Sequence, residues 1–202
     1  MMKNLFQILC GLFLVVSYSS CMHSEEDKVD VLIIGGGASG VTSGIQSARM
    51  GANTLILEES TWLGGMLTSA GVSAVDGNYR LPAGLWGEFK KRLSDYYGGL
   101  DSLKTGWVSN VLFEPSVGNK ILHEMVAAEN NLKVWKQACL EEVKRTGDEW
   151  VAKVKVEGQG VKTVRAKVMI DATELGDVAK ICGVKYDIGM ESRDDTHEEI
   201  GR

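Results

Sequence analysis

The stretch from Val29 to Glu59 leaves the chain few choices of fold. Val29, Val31, Leu32, Ile33 and Ile34 form an apolar run broken only by Asp30, and Gly35-Gly36-Gly37 ends it. A strand this apolar on both faces reads as one buried inside a parallel sheet. Residues 38–50 then carry Val41, Ile45 and Ala48 at spacings of four and three, the period of one helix face, and Gly51 stops the helix. Thr54 to Leu57 supply a second apolar strand, which ends at Glu58-Glu59. Strand, glycine turn, helix and strand within about thirty residues make a βαβ unit. The fold class is therefore α/β. The turn itself, Gly35-x-Gly37-x-x-Gly40, sits where a dinucleotide fingerprint has to sit, after the strand and opening the helix. Its first glycine permits the tight turn, its second lets a pyrophosphate approach the backbone, and its third lets the helix pack closely on the strand. Free N–H groups and the helix dipole attract the phosphates. Glu58 lies eighteen residues past Gly40, the position from which a carboxylate accepts hydrogen bonds from a ribose diol. Together these features predict a Rossmann-like domain.

Beyond this unit the chain changes character. Thr61 to Gly77 is glycine-rich and irregular, residues 83–97 have helical apolar spacing, and Val117, Ile121, Leu122, Met125 and Val126 mark another amphipathic helix. Four strand-like runs follow, at Leu132–Trp135, Leu140–Arg145, Trp150–Val156 and Val161–Ile170, with turn signals at Thr146-Gly147-Asp148 and Glu157-Gly158-Gln159-Gly160. The last three read as an antiparallel β-meander beside the parallel sheet. The fingerprint alone serves NAD and FAD equally, and two features select FAD. Gly64-Gly65-Met66 lets the chain wrap the second phosphate-bearing half of a long cofactor, and the meander replaces the next helical crossover expected of an NAD dehydrogenase. The strand ending at Asp171 leads to Gly176-Asp177. An aspartate at such a strand end can hydrogen-bond the ribityl hydroxyls of a flavin, although Asp177 also suits a plain helix N-cap.

Several of these segments resemble the glutathione-reductase-type flavoproteins, and within them the FAD-dependent oxidoreductases found in many exported bacterial proteins. The resemblance is carried by Val31-Leu32-Ile33-Ile34-Gly35-Gly36-Gly37-Ala38-Ser39-Gly40, Leu57-Glu58-Glu59-Ser60 with Leu63-Gly64-Gly65-Met66, Phe113-Glu114-Pro115, and Asp171-Ala172-Thr173-Glu174-Leu175-Gly176-Asp177. It spans about residues 29–195, and Glu174 departs from it where many relatives have glycine. It implies that Ala38 and Ser39 touch the pyrophosphate, Glu58 the adenosine ribose and Val143 the adenine edge through its backbone. Gly65 and Met66 are implied to approach the flavin. Relatives continue into a substrate domain that is largely absent here, so the resemblance implies the N-terminal portion of a longer enzyme acting on a small organic molecule. Residues 29–185 are the expected FAD-binding domain, and the acidic residues 186–202 a linker or the start of a truncated substrate domain.

The N-terminus predicts export. The apolar run from Leu5 to Val16 is twelve residues long, too short for the ~30 Å of bilayer hydrocarbon but suited to a signal peptide over residues 1–21. Ser17-Tyr18-Ser19-Ser20-Cys21 resembles a bacterial lipobox, so Cys21 is the expected lipidation site, and the acidic residues 22–28 a tether to the cell envelope. Membrane contact is expected only through that anchor. A net charge of −5 excludes the basic surface that nucleic acid requires. Cys139 and Cys182 read as buried apolar residues, and no spacing suits a metal, a redox dithiol or a Ser-His-Asp triad. His123 reads as structural, within its amphipathic helix, and no catalytic residue is assigned. The expected function is hydride transfer through FAD. A polysaccharide lyase would need a base that is not visible, and a non-catalytic FAD-binding remnant is the other alternative.

Overall fold

The computed structural model describes residues 26–77, 79–105 and 109–199. Strand β1 (Glu26–Ile34), helix α1 (Ala38–Arg49) and strand β2 (Thr54–Glu58) form the βαβ unit. Then come a short 3-10 turn (Gly65–Leu67), helices α2 (Gly84–Tyr97) and α3 (Pro115–Ala127), and strands β3 (Leu132–Lys136), β4 (Ala138–Thr146), β5 (Glu149–Val156) and β6 (Gly160–Asp171). Two short helices, α4 (Asp177–Ile181) and α5 (Arg193–Thr196), complete the described chain. All six strands join one sheet in the order β3-β2-β1-β6-β5-β4. The first four run parallel, and β6, β5 and β4 form the antiparallel meander. The fold is thus the α/β arrangement that the sequence predicts.

Alternation along β1 and β2 explains why both strands are apolar throughout. Ile33 and Ile56 face α1, α2 and α3, in a core with Val41, Ile45, Phe89 and Met125. Leu32, Ile34, Leu55 and Leu57 face the other way, onto Ala138, Ala152, Val154 and Val164 of the meander. One face of the sheet is therefore covered by helices and the other by β-structure. Each fully buried aliphatic side chain in these layers stabilises the fold by about 1.5–3 kcal/mol. Phe89 and Phe113 pack edge to face at 5.4 Å between ring centroids, which joins α2 to the approach to α3. Arg49 bridges Glu88 of α2 and Glu129 after α3, so one guanidinium ties the outer surfaces of three helices.

Two expectations need correction. Glu26, Asp27 and Lys28 belong to strand β1, because β6 is twelve residues long and they pair with Thr163, Val164 and Arg165. The last three residues assigned to the tether are therefore sheet. Cys139 and Cys182 are exposed, not buried. On β4 the inward positions belong to Ala138 and Leu140, which turns Cys139 outward, and in α4 only Val178 is buried. Residues 181–191 are all exposed. Residues 1–21, where a signal peptide and the Cys21 lipidation site are expected, and residues 22–25 lie outside the described residues. Among the described residues no helix is long and apolar enough to cross a membrane, and no group of three or more His, Cys, Asp or Glu could hold a metal.

Candidate functional site

The carboxyl ends of β1, β2 and β6 open into a cleft of about 680 Å³. That volume lies within the ~300–1,000 Å³ of ligand clefts, and strand carboxyl ends are where open α/β sheets bind their ligands. Gly35, Gly37, Ala38, Ser39, Glu58, Gly65, Met66 and Asp177 all line it. Each glycine of the turn has a separate reason. Gly35 sits at φ +103°, and a Cβ on it would lie 2.4 Å from the Ala172 carbonyl oxygen. A Cβ on Gly40 would lie 1.8 Å from the carbonyl oxygen of Gly35, so α1 can press on the turn only because nothing is there. Gly37 differs: a Cβ on it would meet no protein atom within 4 Å. It is the N-cap of α1 and makes no side-chain cap, and the first-turn N–H groups of Ala38 and Ser39 have no partner within the helix. A turn kept bare on its open side, above free N–H groups, fits a pyrophosphate.

Glu58 is fixed by the turn it serves. Its carboxylate accepts the Gly36 N–H at 2.8 Å and the Ser60 N–H at 2.7 Å. Each oxygen keeps a further lone pair for the diol expected there. Gly36 is bare for the same reason, since a Cβ on it would lie 2.7 Å from Glu58 Oε2. The second glycine pair closes on the first. Gly64 donates its N–H to the Gly36 carbonyl at 2.8 Å, and Gly37 and Gly64 form an isolated parallel bridge. Behind them Asn119 of α3 accepts the Leu63 N–H at 2.9 Å, and the Thr68 hydroxyl donates to the Leu63 carbonyl. The helical layer thereby sets the height of Gly65 and Met66 on the cleft wall.

A sequence profile of the family described as FAD dependent oxidoreductase matches residues 30–201. The chain belongs to that family. FAD is therefore its cofactor, and the bare Gly37 and free first-turn N–H groups fit that cofactor's phosphates. No curated protein matches the chain in sequence. Among solved structures, a flavoprotein/dehydrogenase from Cytophaga hutchinsonii superposes with a TM-score of 0.60 at 18% identity, covering 82% of this chain and 44% of its own. The p-nitrophenol 4-monooxygenase of Pseudomonas putida DLL-E4 gives 0.54 at 15% identity, over 82% and 46%. A geranylgeranyl bacteriochlorophyll reductase-like protein from Thermoplasma acidophilum gives 0.54 at 20%, over 79% and 43%. At such identities the likeness is one of fold. This chain spans less than half the length of each.

The remaining site residues sort clearly. Gly40 lies behind the cleft wall and acts by packing. Asp177 is on the wall and exposed, and it is not the N-cap of α4; Gly176 is, in a left-handed conformation. Its carboxylate makes no hydrogen bond among the described residues, so it is available to a hydroxyl. Val143 is not brought to the cleft. Leu140 and Ala138 line it instead, because β4 carries an irregularity between Leu140 and Glu142, and Val143 stands three residues farther along the strand, about 10 Å away. His123 lies outside the cleft too. Burial, helped by the Lys136 charge, holds its pKa below the usual imidazole value, so it is neutral at pH 7.

Sequence reasoning missed Asp171. Its carboxylate accepts from the Thr173 N–H at 3.0 Å, the Thr173 hydroxyl at 2.6 Å and the Ala179 N–H at 2.8 Å. Burial opposes its ionisation, but these bonds outweigh it and its pKa lies below the ordinary aspartate value. Its stabilising effect is therefore present above the ordinary aspartate pKa and lost as the pH falls through the lowered one. The available signal was the polar side chain at the end of an otherwise apolar strand.

Proposed function

We propose that the cleft holds FAD for hydride exchange with a small organic substrate, in the manner of the glutathione-reductase-type flavoproteins. The observation that carries this reading is the bare Gly37 above the N-terminus of α1, in one cleft with the carboxylates of Glu58 and Asp177. On this reading Ala38 and Ser39 donate backbone hydrogen bonds to the pyrophosphate, Glu58 orients the adenosine ribose, and Gly65 and Met66 shape the flavin end. Asp177 accepts from the ribityl chain, and Leu140 and Ala138 replace Val143 beside the adenine. The flavin ring, when bound, supplies the hydride chemistry, while the protein supplies position, electrostatics and exclusion of water. The meander on the second face of the sheet supports the glutathione-reductase comparison. The likeness to a monooxygenase and a dehydrogenase leaves the substrate class as a small molecule. An absorbance spectrum of the purified chain tests the reading: flavin bands after gel filtration support it, and their absence after incubation with FAD overturns it.

The lipobox-like run supports a second proposal, anchoring of the exported protein to the bacterial envelope through Cys21. Radiolabelled palmitate should enter the wild type and not Cys21→Ser. Equal labelling of both would overturn the anchor.

A further inference from the structure

We propose that Asp171 is the positioning residue for the flavin end of the cleft, aiming the Asp177 carboxylate through Thr173 and the first turn of α4. This rests on the reading that the cleft holds FAD.

Helix α4 has five residues and buries only Val178, so it cannot fix its own orientation. Its N-cap, Gly176, sits at φ +71° and has no side chain with which to satisfy the first-turn N–H groups. Residues four and eight positions upstream of the donors do so instead. The Asp177 N–H donates to Thr173 Oγ1 at 2.8 Å, and the Ala179 N–H donates to Asp171 Oδ2 at 2.8 Å. The Thr173 hydroxyl in turn donates to Asp171 Oδ1 at 2.6 Å, which makes a relay from Asp177 N–H through Thr173 to one carboxylate. Asp171 is itself tied into the sheet. It pairs with Ile34 at the end of the β1–β6 ladder, and the next residue, Ala172, donates its N–H to the Ile34 carbonyl at 2.8 Å. The end of a rigid strand thus holds both the turn 172–176 and the start of α4. Asp177 has its backbone fixed and its carboxylate left on the cleft wall.

This arrangement acts on one end of the cleft only. The adenosine end is held by other means: Glu58 grips Gly36 and Ser60, and Gly64 grips Gly36. Loss of the Asp171 charge should therefore weaken contacts with the ribityl and flavin half and spare those with the adenosine diphosphate half. A merely structural residue would lower both.

The test uses the full chain and two probes, FAD and ADP, each titrated by calorimetry. Asp171→Asn keeps the side-chain size but loses an acceptor and the charge. Its FAD dissociation constant should rise at least tenfold while that for ADP changes less than twofold. Thr173→Val, which breaks the relay and keeps the charge, should show the same split, and Thr173→Ser should restore FAD affinity. If Asp171→Asn does not fold, the Thr173 pair decides. Equal losses for FAD and ADP, or unchanged FAD affinity in both variants, would overturn the positioning role. Failure of the wild type to bind either probe would overturn the cofactor reading itself, and the positioning role with it.

Discussion

Gly37→Val should fold as the wild type does and lose FAD. The backbone at Gly37 has φ −64° and ψ −173°, an extended conformation open to any residue. No protein atom lies within 4 Å of the Cβ position, so the branch point of the new side chain has open space around it. The cost to the fold is confined to the poorer N-cap preference of valine, on the order of 1 kcal/mol. Cofactor binding has no such freedom. The valine methyls would stand between the incoming pyrophosphate and the N–H groups of Ala38 and Ser39, and a phosphate cannot accept those hydrogen bonds from beyond about 3.2 Å. Affinity should fall at least 100-fold, about 2.7 kcal/mol. A thermal melt by circular dichroism, beside the flavin content after gel filtration, checks both halves. A variant that melts normally and retains stoichiometric flavin would remove the pyrophosphate from this turn.

The sequence made the centre of the molecule legible and its edges less so. Apolar runs and glycine spacing along Val29–Glu58 defined strand, turn, helix and strand because both faces of those strands are buried and the turn admits no side chain at Gly35, Gly36 or Gly40. The meander was readable from its turn residues, but its placement was not. Nothing local to β4 or β5 says that they cover the second face of the sheet, where a helix could serve as well. The start of β1 was misjudged because Glu26, Asp27 and Lys28 are strand only through their partner, β6, more than 130 residues away. A polar composition says tether until the long pairing partner is known.

Errors within the site share one cause. The resemblance implied Val143 at the adenine edge, whereas on β4 it is Ala138 and Leu140 that line the cleft, before the irregularity between Leu140 and Glu142. Cys139 was taken as apolar filling, yet inward Ala138 and Leu140 leave it only the outer side of β4. Asp171 was given no role because that role depends on Thr173 and Ala179 coming round after a turn that no periodicity describes. Glu58 was identified for its ribose contact alone. The structure gives it a second task, holding the N–H groups of Gly36 and Ser60, so the residue proposed to orient the ribose also braces the turn beneath it.

Gly40→Ala carries the largest expected loss of stability. Its Cβ would lie 1.8 Å from the Gly35 carbonyl oxygen and 2.9 Å from the carbonyl carbon, which are backbone atoms held by the β1 ladder. They cannot turn aside as a side chain can, so α1 must lift from the sheet by more than 1 Å to reach ordinary contact. Val41, Ile45 and Ala48 lose their packing on Ile33 and Ile56 when it does. Two aliphatic side chains half-withdrawn from such a core, with the voids left behind, cost about 4 kcal/mol or more. That is a large part of the ~5–15 kcal/mol by which a domain is stable. Gly44→Ala is the control on the same helix. There the new Cβ would lie 2.5 Å from Ile56 Cδ1, the far end of a flexible side chain, and Ala restores up to about 1 kcal/mol of helix propensity. Urea denaturation of the two variants should separate them by several kcal/mol, with Gly40→Ala mostly unfolded or insoluble and Gly44→Ala near the wild type. If Gly40→Ala unfolds at the wild-type midpoint, α1 does not rest on the turn as described, and the close approach that shapes the cleft is absent.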